Sequence, residues 1–153
     1  MDNNSNLMNA EDFGLSFSEE VTEKIQAVFS EKAEPNLKPF AANILIGNLP
    51  SDKLSDHVGD RFELHGYHVK SVRYSDGHTG KYTTLFGTRR DDLCAYGSSS
   101  DKIYKAVSMI TAVYGTPDKW EQPIWVEITM NTYGESGNGK AYNLRVIGVE
   151  HQS

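Results

Sequence analysis

The stretch SSSDKIYKAVSMITAVYG, residues 98–115, carries the pattern from which the fold is predicted. Its apolar residues recur at intervals of three and four, so they form one stripe along an amphipathic helix. The stripe consists of Ile103, Ala106, Val107, Ile110, Val113 and Tyr114. Ser100 is a favourable N-cap, and Gly115 with Pro117 just beyond it ends the helix. Three strand-like runs precede this helix and two follow it, so the helix is predicted to lie within a β protein.

Five runs of residues have the composition and alternation of β-strands. They cover residues 61–74, 82–88, 93–98, 123–133 and 141–150. The first run is long and contains Gly66, which favours a bend or a bulge. A long bent first strand, followed later by one helix between the third and fourth strands, is the arrangement of an OB-fold. The sequence therefore predicts a mainly β protein, with a five-stranded OB-fold barrel over residues 60–153 and one helix between strands 3 and 4.

The N-terminal part of the chain differs from the rest in charge. Residues 1–60 contain 11 Asp and Glu against 4 Lys, a net charge of −7, whereas residues 61–153 contain 10 acidic and 11 basic residues. We predict that residues 1–59 form an acidic extension with one amphipathic helix at 18–32 and a short strand at 43–46. This helix either packs on the barrel or on a partner subunit, or the acidic extension competes for the binding surface or recruits other proteins.

The overall composition is that of an ordinary globular domain, with 38% hydrophobic and 24% charged residues and a net charge of −6. Residues 1–14 are acidic, polar and without a period, so we predict that they are disordered and not a signal peptide. No apolar run approaches the roughly 18 residues of a membrane-spanning helix. The lone Cys94 excludes an internal disulfide. We therefore expect a cytoplasmic protein that does not enter a membrane.

Residue types used in catalysis or metal binding do not form a recognisable pattern. His65 and His68 are three residues apart, and in a regular strand this separation places them on opposite faces. Cys94 has no nucleophile signature around it, and residues 134–140 lack the Gly-Lys-Ser/Thr ending of a phosphate loop. We therefore predict no catalytic residue, no metal site and no cofactor, and hence no enzyme.

Aromatic residues interleaved with basic ones remain as the candidate chemistry. Single-strand binders stack bases on aromatic side chains while Lys and Arg contact the phosphates. In OB-folds the loops between strands 1 and 2 and between strands 4 and 5 flank the ligand groove. The predicted nucleic-acid-binding residues are Tyr67, Tyr82, Phe86 and Tyr96 on the first three strands, Arg73 and Lys81 beside the first loop, and Tyr133 and Lys140 around the second. Each has a structural alternative, because strand tyrosines commonly pack across strands and phenylalanine is a typical core residue.

The barrel region resembles the compact OB-fold single-stranded DNA-binding proteins of bacteriophages and mobile elements. The resemblance is carried by RFELHGY (61–67), KYTTLF (81–86), YGSSSD (96–101), PIWVEI (123–128) and YNLRVI (142–147). It implies largely sequence-independent binding of single-stranded DNA in replication, recombination or repair, without catalysis and in a host cytoplasm. Such proteins usually have an acidic C-terminal tail, whereas this sequence ends in VEHQS and has its acidic residues at the front.

Two other functions remain open at this point. The chain could be an OB-fold adaptor or inhibitor that binds another protein, through the same groove or through residues 21–29. It could also be a small nuclease, although no carboxylate cluster is visible. Association into a homo-oligomer is compatible with each of these functions. Salt-dependent binding of an oligonucleotide would favour the first prediction over the adaptor.

Overall fold

The computed structural model of the chain describes residues 15–16, 27–31 and 33–149. Over these residues it confirms a mainly β protein, with a mixed sheet that curls into half a barrel and few helices. The strands are β1 (Leu15–Ser16), β2 (Ala27–Phe29), β3 (Asp52–Lys53), β4 (Arg61–Tyr74), β5 (Thr79–Arg89), β6 (Asp92–Ser98), β7 (Ile124–Tyr133) and β8 (Gly139–Gly148). The α-helices are α1 (Leu37–Ile46) and α2 (Asp101–Tyr114), and Leu54–His57 and Pro117–Lys119 form short 3₁₀ turns.

The long strand β4 is the centre of the sheet. The main strand order is β3-β6-β5-β4-β7-β8, in which only the β3–β6 pair is parallel. One edge of β4 pairs with β5 from Glu63 to Arg73. The opposite edge is divided among three strands: β7 pairs with residues 61–64, β2 with 66–68 and β1 with 73–74. Strands from both ends of the described chain therefore meet on one edge of β4.

A β-bulge interrupts β4 between Leu64 and Gly66, at the position where the sequence predicts a bend. The β5 backbone comes so close here that a Cβ atom on Gly87 would collide with the carbonyl oxygen of Glu63. The extra residue also reverses the alternation of side chains along β4. Leu64 faces the main core before the bulge, and Tyr67 faces the same core after it.

The main core lies on the concave face of the sheet, beneath α2. From α2 it receives Ile103, Val107 and Ile110, which are buried as their helical spacing predicts. The predicted stripe is wrong in its last turn, because Val113 is 76% exposed and Tyr114 is also exposed. The helix is closed by Gly115, whose amide donates a hydrogen bond to the carbonyl oxygen of Thr111.

A second core lies on the convex face of the sheet, where α1 packs against β5 and β6. Leu37 and Ala41 of α1 contact Phe86 and Ala95. The short strand predicted at residues 43–46 is therefore wrong, since these residues form the last part of α1. Pro39 is tolerated because it lies in the first turn, where a missing amide proton breaks no helical hydrogen bond. Gly47 ends the helix in the left-handed conformation, with φ 103°.

The amphipathic helix predicted at 18–32 is also wrong over the residues that the structure describes. Ala27, Val28 and Phe29 form β2 and pair with β4. The Phe29 ring lies 5.5 Å from that of Phe86, so β2 also contributes to the second core. Residues 18–26 and Lys32, and the disorder predicted for residues 1–14, fall outside the described residues.

Residues of the predicted extension pack in the same core and the same sheet as residues of the predicted barrel. Leu54, from the 3₁₀ turn before β4, is 1% exposed and belongs to the main core. Asp52 and Lys53 add β3 to the edge of β6. Residues on both sides of position 59 thus contribute to one sheet. In the described part of the chain neither α-helix has the length and apolar character needed to cross a membrane.

Candidate nucleic-acid interface

The structure does not gather the eight predicted binding residues on one surface. Leu85 pairs with Tyr96, and both face the main core. Tyr82 instead pairs with Lys70 on the convex face of the sheet. Tyr82 and Tyr96 therefore point to opposite sides, and the single aromatic groove predicted from strand alternation is wrong.

Three of the predicted aromatic residues are packing residues. Phe86 is 0% and Tyr96 is 2% exposed, so neither ring offers a face to a base. Tyr67 packs against the main core, and its hydroxyl lies 2.5 Å from Oγ1 of Thr111 on α2. The bulge turns Tyr67 inward, while α1 covers the strand face that carries Phe86. These three residues therefore pack within the protein, which was the alternative to base stacking.

On the convex face, Tyr82 lies beside a lysine and over a glycine. The Nζ atom of Lys70 is 5.8 Å from the centre of the Tyr82 ring, within range of a cation–π interaction. The ring lies over Gly97, where a Cβ atom would be only 3.0 Å from the ring carbon Cζ. Burial raises the pKa of the Tyr82 hydroxyl, and burial lowers the pKa of the Lys70 ammonium. Tyr82 thus remains half-buried, with one cation held against it.

On the concave face of the same hairpin, Lys81 contacts both β4 and α2. Its Nζ atom donates a hydrogen bond to Oγ of Ser71 at 2.7 Å. The same atom lies 5.5 Å from the centre of the Tyr104 ring. A second cation–aromatic pair, Lys81 with Tyr104, therefore lies on the other face of the hairpin. It is next to the first pair along the strands, because the pair Ser71–Lys81 directly follows the pair Lys70–Tyr82.

The turn between β4 and β5 carries a stacked aromatic pair. The rings of Tyr74 and His78 are 4.4 Å apart and inclined by 22°. Asp76 fixes the turn by accepting a hydrogen bond from the His78 amide at 3.0 Å, and this bond lowers the pKa of the Asp76 carboxyl. Tyr74 also lies against Gly80, where a Cβ atom would be 3.2 Å from the ring.

We call these residues the hairpin cluster. It consists of Lys70, Tyr74, His78, Lys81, Tyr82 and Tyr104, together with Arg73, which precedes Tyr74 on β4 and pairs with Thr79. Sequence reasoning found three of its members and missed Lys70, Tyr74, His78 and Tyr104. Three of the missed residues are close to Arg73 or Lys81 in sequence, so counting aromatic and basic residues on both faces of the hairpin would have found them. Tyr104 gives no such signal, since only the packing of α2 brings it to Lys81.

Tyr133 and Lys140 lie apart from this cluster. Tyr133 is 61% exposed and its ring covers Gly139, at the turn between β7 and β8. β4 and β7 pair in antiparallel fashion from Arg61–Glu127 to Leu64–Ile124. Beyond Leu64, β4 continues toward its turn with β5, whereas β7 continues past Arg61 toward its turn with β8. The two hairpin turns therefore extend from opposite ends of this ladder.

A network of charged groups holds β3 against the rest of the sheet. Nδ1 of His57 lies 2.9 Å from a carboxylate oxygen of Asp60, and Nε2 lies 3.4 Å from Asp52. Asp60 also faces Arg89 at 3.5 Å and accepts a hydrogen bond from the Tyr96 hydroxyl at 3.4 Å. A carboxylate with this many partners is fixed in place, which is a structural role.

Among the described residues, cysteine and histidine do not form a metal-binding group. Burial raises the pKa of the Cys94 thiol to about 12, so the sulfur stays protonated near neutral pH. Over the described ranges, no three residues of the types His, Cys, Asp and Glu come together in a way that could hold a metal ion.

The two β4 histidines do share a face, contrary to the prediction from their spacing. Nε2 of His65 lies 3.2 Å from Oγ1 of Thr88, a convex-face residue, and His68 pairs with Thr84 on the same face. The bulge between them supplies the extra residue that reverses the alternation. Because Thr88 donates its proton to Glu63, His65 must donate from Nε2, which leaves its buried Nδ1 without a hydrogen bond.

The arrangement as a whole offers aromatic rings and cations on the two faces and at the turn of one hairpin. No protein-family model matches this chain, and no curated protein or solved structure shows significant similarity to it.

Proposed function

We propose that this protein binds single-stranded DNA without catalysis, with little sequence preference, through the hairpin cluster. The observation that carries the proposal is the pairing of cations with aromatic rings on both faces of one hairpin: Lys70 with Tyr82, and Lys81 with Tyr104. Stacking on rings and electrostatic attraction to phosphates are the two contributions on which sequence-tolerant binding depends.

The parts of the cluster have different roles in this proposal. Tyr74 and His78 form a stacked pair at an exposed turn, and an unpaired base adds to the end of such a stack. Arg73 and Lys81 contact phosphates, while Lys70 keeps Tyr82 oriented. Asp76 is a neighbouring anion that weakens the attraction, and its hydrogen bonds keep the turn closed. The net charge of −6 makes the local arrangement of cations more important than the overall field.

We further propose that β4 to β8 are the five strands of an OB-fold barrel. The order β6-β5-β4-β7-β8, with β4 shared between two halves of the sheet, supports this assignment. So does the position of α2 between β6 and β7 in the chain. In this assignment, the first two strands and the turn between them carry the hairpin cluster except for Tyr104, as expected of a ligand-binding loop in that fold.

The test is a titration of a fluorescent oligo-dT by anisotropy, at low and at physiological salt, with a duplex of equal length as control. If two or three phosphates are neutralised, the affinity should fall with a log–log salt slope between about −1.4 and about −2.1. Tyr74→Ala and Tyr82→Ala should each weaken binding by about 1–3 kcal/mol. Arg73→Ala should weaken binding and make the slope shallower by about 0.7.

Two matched control variants distinguish the hairpin cluster from the rest of the protein surface. Lys119→Ala removes an exposed cation from the 3₁₀ turn before β7 and should leave affinity unchanged. Tyr133→Ala removes the exposed ring of the other hairpin and should also have no effect. The proposal fails if oligo-dT does not bind at low salt. The assignment of binding to the hairpin cluster is wrong if Tyr133→Ala weakens binding while Tyr74→Ala and Tyr82→Ala do not.

An adaptor function is the second candidate. It is favoured by apolar side chains on the surface of α2, where Met109 is 64% exposed and Val113 is 76% exposed. Such residues are typical of protein contacts rather than of contacts with a polyanion. An adaptor would show no affinity for oligo-dT at any salt concentration.

A further inference from the structure

A groove of about 470 Å³ runs between α2 and β8, the last described strand, and none of its lining residues belongs to the hairpin cluster. Its lining includes Met109 from the helix and Leu144 and Val146 from the strand. Met109 is largely exposed and Val146 is 37% exposed, so the groove presents apolar side chains to solvent. Exposed apolar side chains that line one groove are typical of a docking surface.

The rim of this groove on the helix side is positively charged. Lys102 and Lys105 both line it, and Asn143 adds a polar group from β8. Lys105 also has an exposed ion pair with Asp101, at 3.7 Å, which is weak in water. The groove therefore suits a segment that combines apolar side chains with carboxylates.

We propose that residues 1–14 of this same chain dock in the α2–β8 groove. The segment contains Asp2, Glu11 and Asp12 and has no Lys or Arg. It also contains the large apolar side chains of Leu7, Met8 and Phe13. Its composition thus complements both the apolar floor and the lysine rim of the groove.

The attachment point of the segment is close enough for this docking. Ser16 pairs with Arg73 on β4, two residues from Ser71. Ser71 binds Lys81, which in turn lies against Tyr104 of α2. Fourteen residues span up to about 45 Å when extended, about twice the length of the 14-residue helix α2. The proposal does not depend on nucleic-acid binding.

The test uses the full chain and the methyl NMR signal of Met109. In the parent protein, the Met109 methyl group should show nuclear Overhauser contacts to the Phe13 ring. Replacing the three acids by Asp2→Asn, Glu11→Gln and Asp12→Asn should shift the Met109 signal toward its position in a Phe13→Ala chain. Glu19→Gln, Glu20→Gln and Glu23→Gln remove the same number of charges nearby and should leave the signal in place.

A second measurement uses a synthetic peptide with the sequence of residues 1–14, added to the Phe13→Ala chain. The peptide should shift the Met109 and Val146 signals, and Lys102→Glu with Lys105→Glu should weaken its binding at least fivefold at low salt. Lys119→Glu is the matched charge control and should not change the binding. The proposal is overturned if the peptide leaves both signals unmoved. It is equally overturned if Met109 shows no contact to Phe13 and its signal is the same in all full-length variants.

Discussion

His68 should make the stability of this protein depend on pH between about 4 and 6.5. Its pKa is lowered from 6.5 to about 4, mainly because burial disfavours the charged ring and also because the Lys70 ammonium is nearby. Its Nδ1 atom is buried and has no hydrogen-bond partner. The folded chain therefore holds His68 neutral under conditions in which the unfolded chain binds a proton.

The sign and size of the effect follow from this difference. Above pH 6.5 both states carry a neutral ring, so there is no penalty. As the pH falls toward 4, only the unfolded state gains the proton, and the free energy of unfolding decreases. The pKa falls from 6.5 to about 4, and each pH unit corresponds to about 1.36 kcal/mol. The loss in the free energy of unfolding therefore has an upper bound of about 3.4 kcal/mol. Because part of the ring is open to water, we expect a loss of about 2 kcal/mol.

The assay is urea unfolding of the parent and of His68→Gln at a series of pH values from 7.5 to 4. Carboxylates titrate in both proteins, so the informative quantity is the difference in their free energies of unfolding. This difference should move in favour of the variant by about 2 kcal/mol as the pH is lowered. His78→Gln, which removes an exposed imidazole, serves as the control. Parallel curves for the parent and His68→Gln would refute the reasoning.

Three further predictions concern stability. Gly87→Ala should cost about 2–3 kcal/mol in urea unfolding, because its Cβ would collide with the Glu63 carbonyl at the bulge. Asp60→Asn should lower the free energy of unfolding by about 1–3 kcal/mol, since it weakens the contacts that hold β3 in place. Tyr67→Phe should cost about 1 kcal/mol by leaving the Thr111 hydroxyl without its partner, and it should leave oligo-dT affinity unchanged.

Each of these three stability predictions has a control or an outcome that would contradict it. Gly77→Ala is the glycine control: it strains a turn with φ 96° but meets no atom, so it should cost less than Gly87→Ala. Asp56→Asn changes an exposed carboxylate in the same 3₁₀ turn region, and an equal loss there would exclude a special role for Asp60. A weaker affinity for oligo-dT in Tyr67→Phe would mean that Tyr67 is not only a core residue.

The sheet of residues 61–148 could be predicted because its signals are local. Arg61–Tyr74 and Asp101–Tyr114 match the predicted long strand and helix closely, since alternation and helical spacing are both read within a few residues. The elements before residue 59 were predicted less well. Val28 and Phe29 fit a helical spacing, but pairing with the open edge of β4 makes them a strand. Residues 44–46 look like a strand because they are apolar, whereas they form the end of α1, which packs on the convex face through Leu37, Ala41 and Ile44.

The candidate site was predicted less well than the fold for two reasons: α1 covers Phe86, and one extra residue in β4 exchanges the faces of that strand. Alternation assigns each strand residue to a face, and it fails wherever a bulge intervenes. After Gly66 the faces of β4 are exchanged, so Tyr67 enters the core and Lys70 joins the convex face. A glycine in a strand favours a bulge, but the partner strand determines which residue is left unpaired.

The divided edge of β4 has a consequence for how the chain is made. During synthesis, β1 and β2 leave the ribosome first, yet their partner β4 follows tens of residues later, and β7 only after α2 is complete. Ladders with such separations cannot form until most of the polypeptide is available, and their closure is slow for the same reason. We therefore expect the apolar segments of the first half to wait unpaired during translation, when chaperones have most access to them.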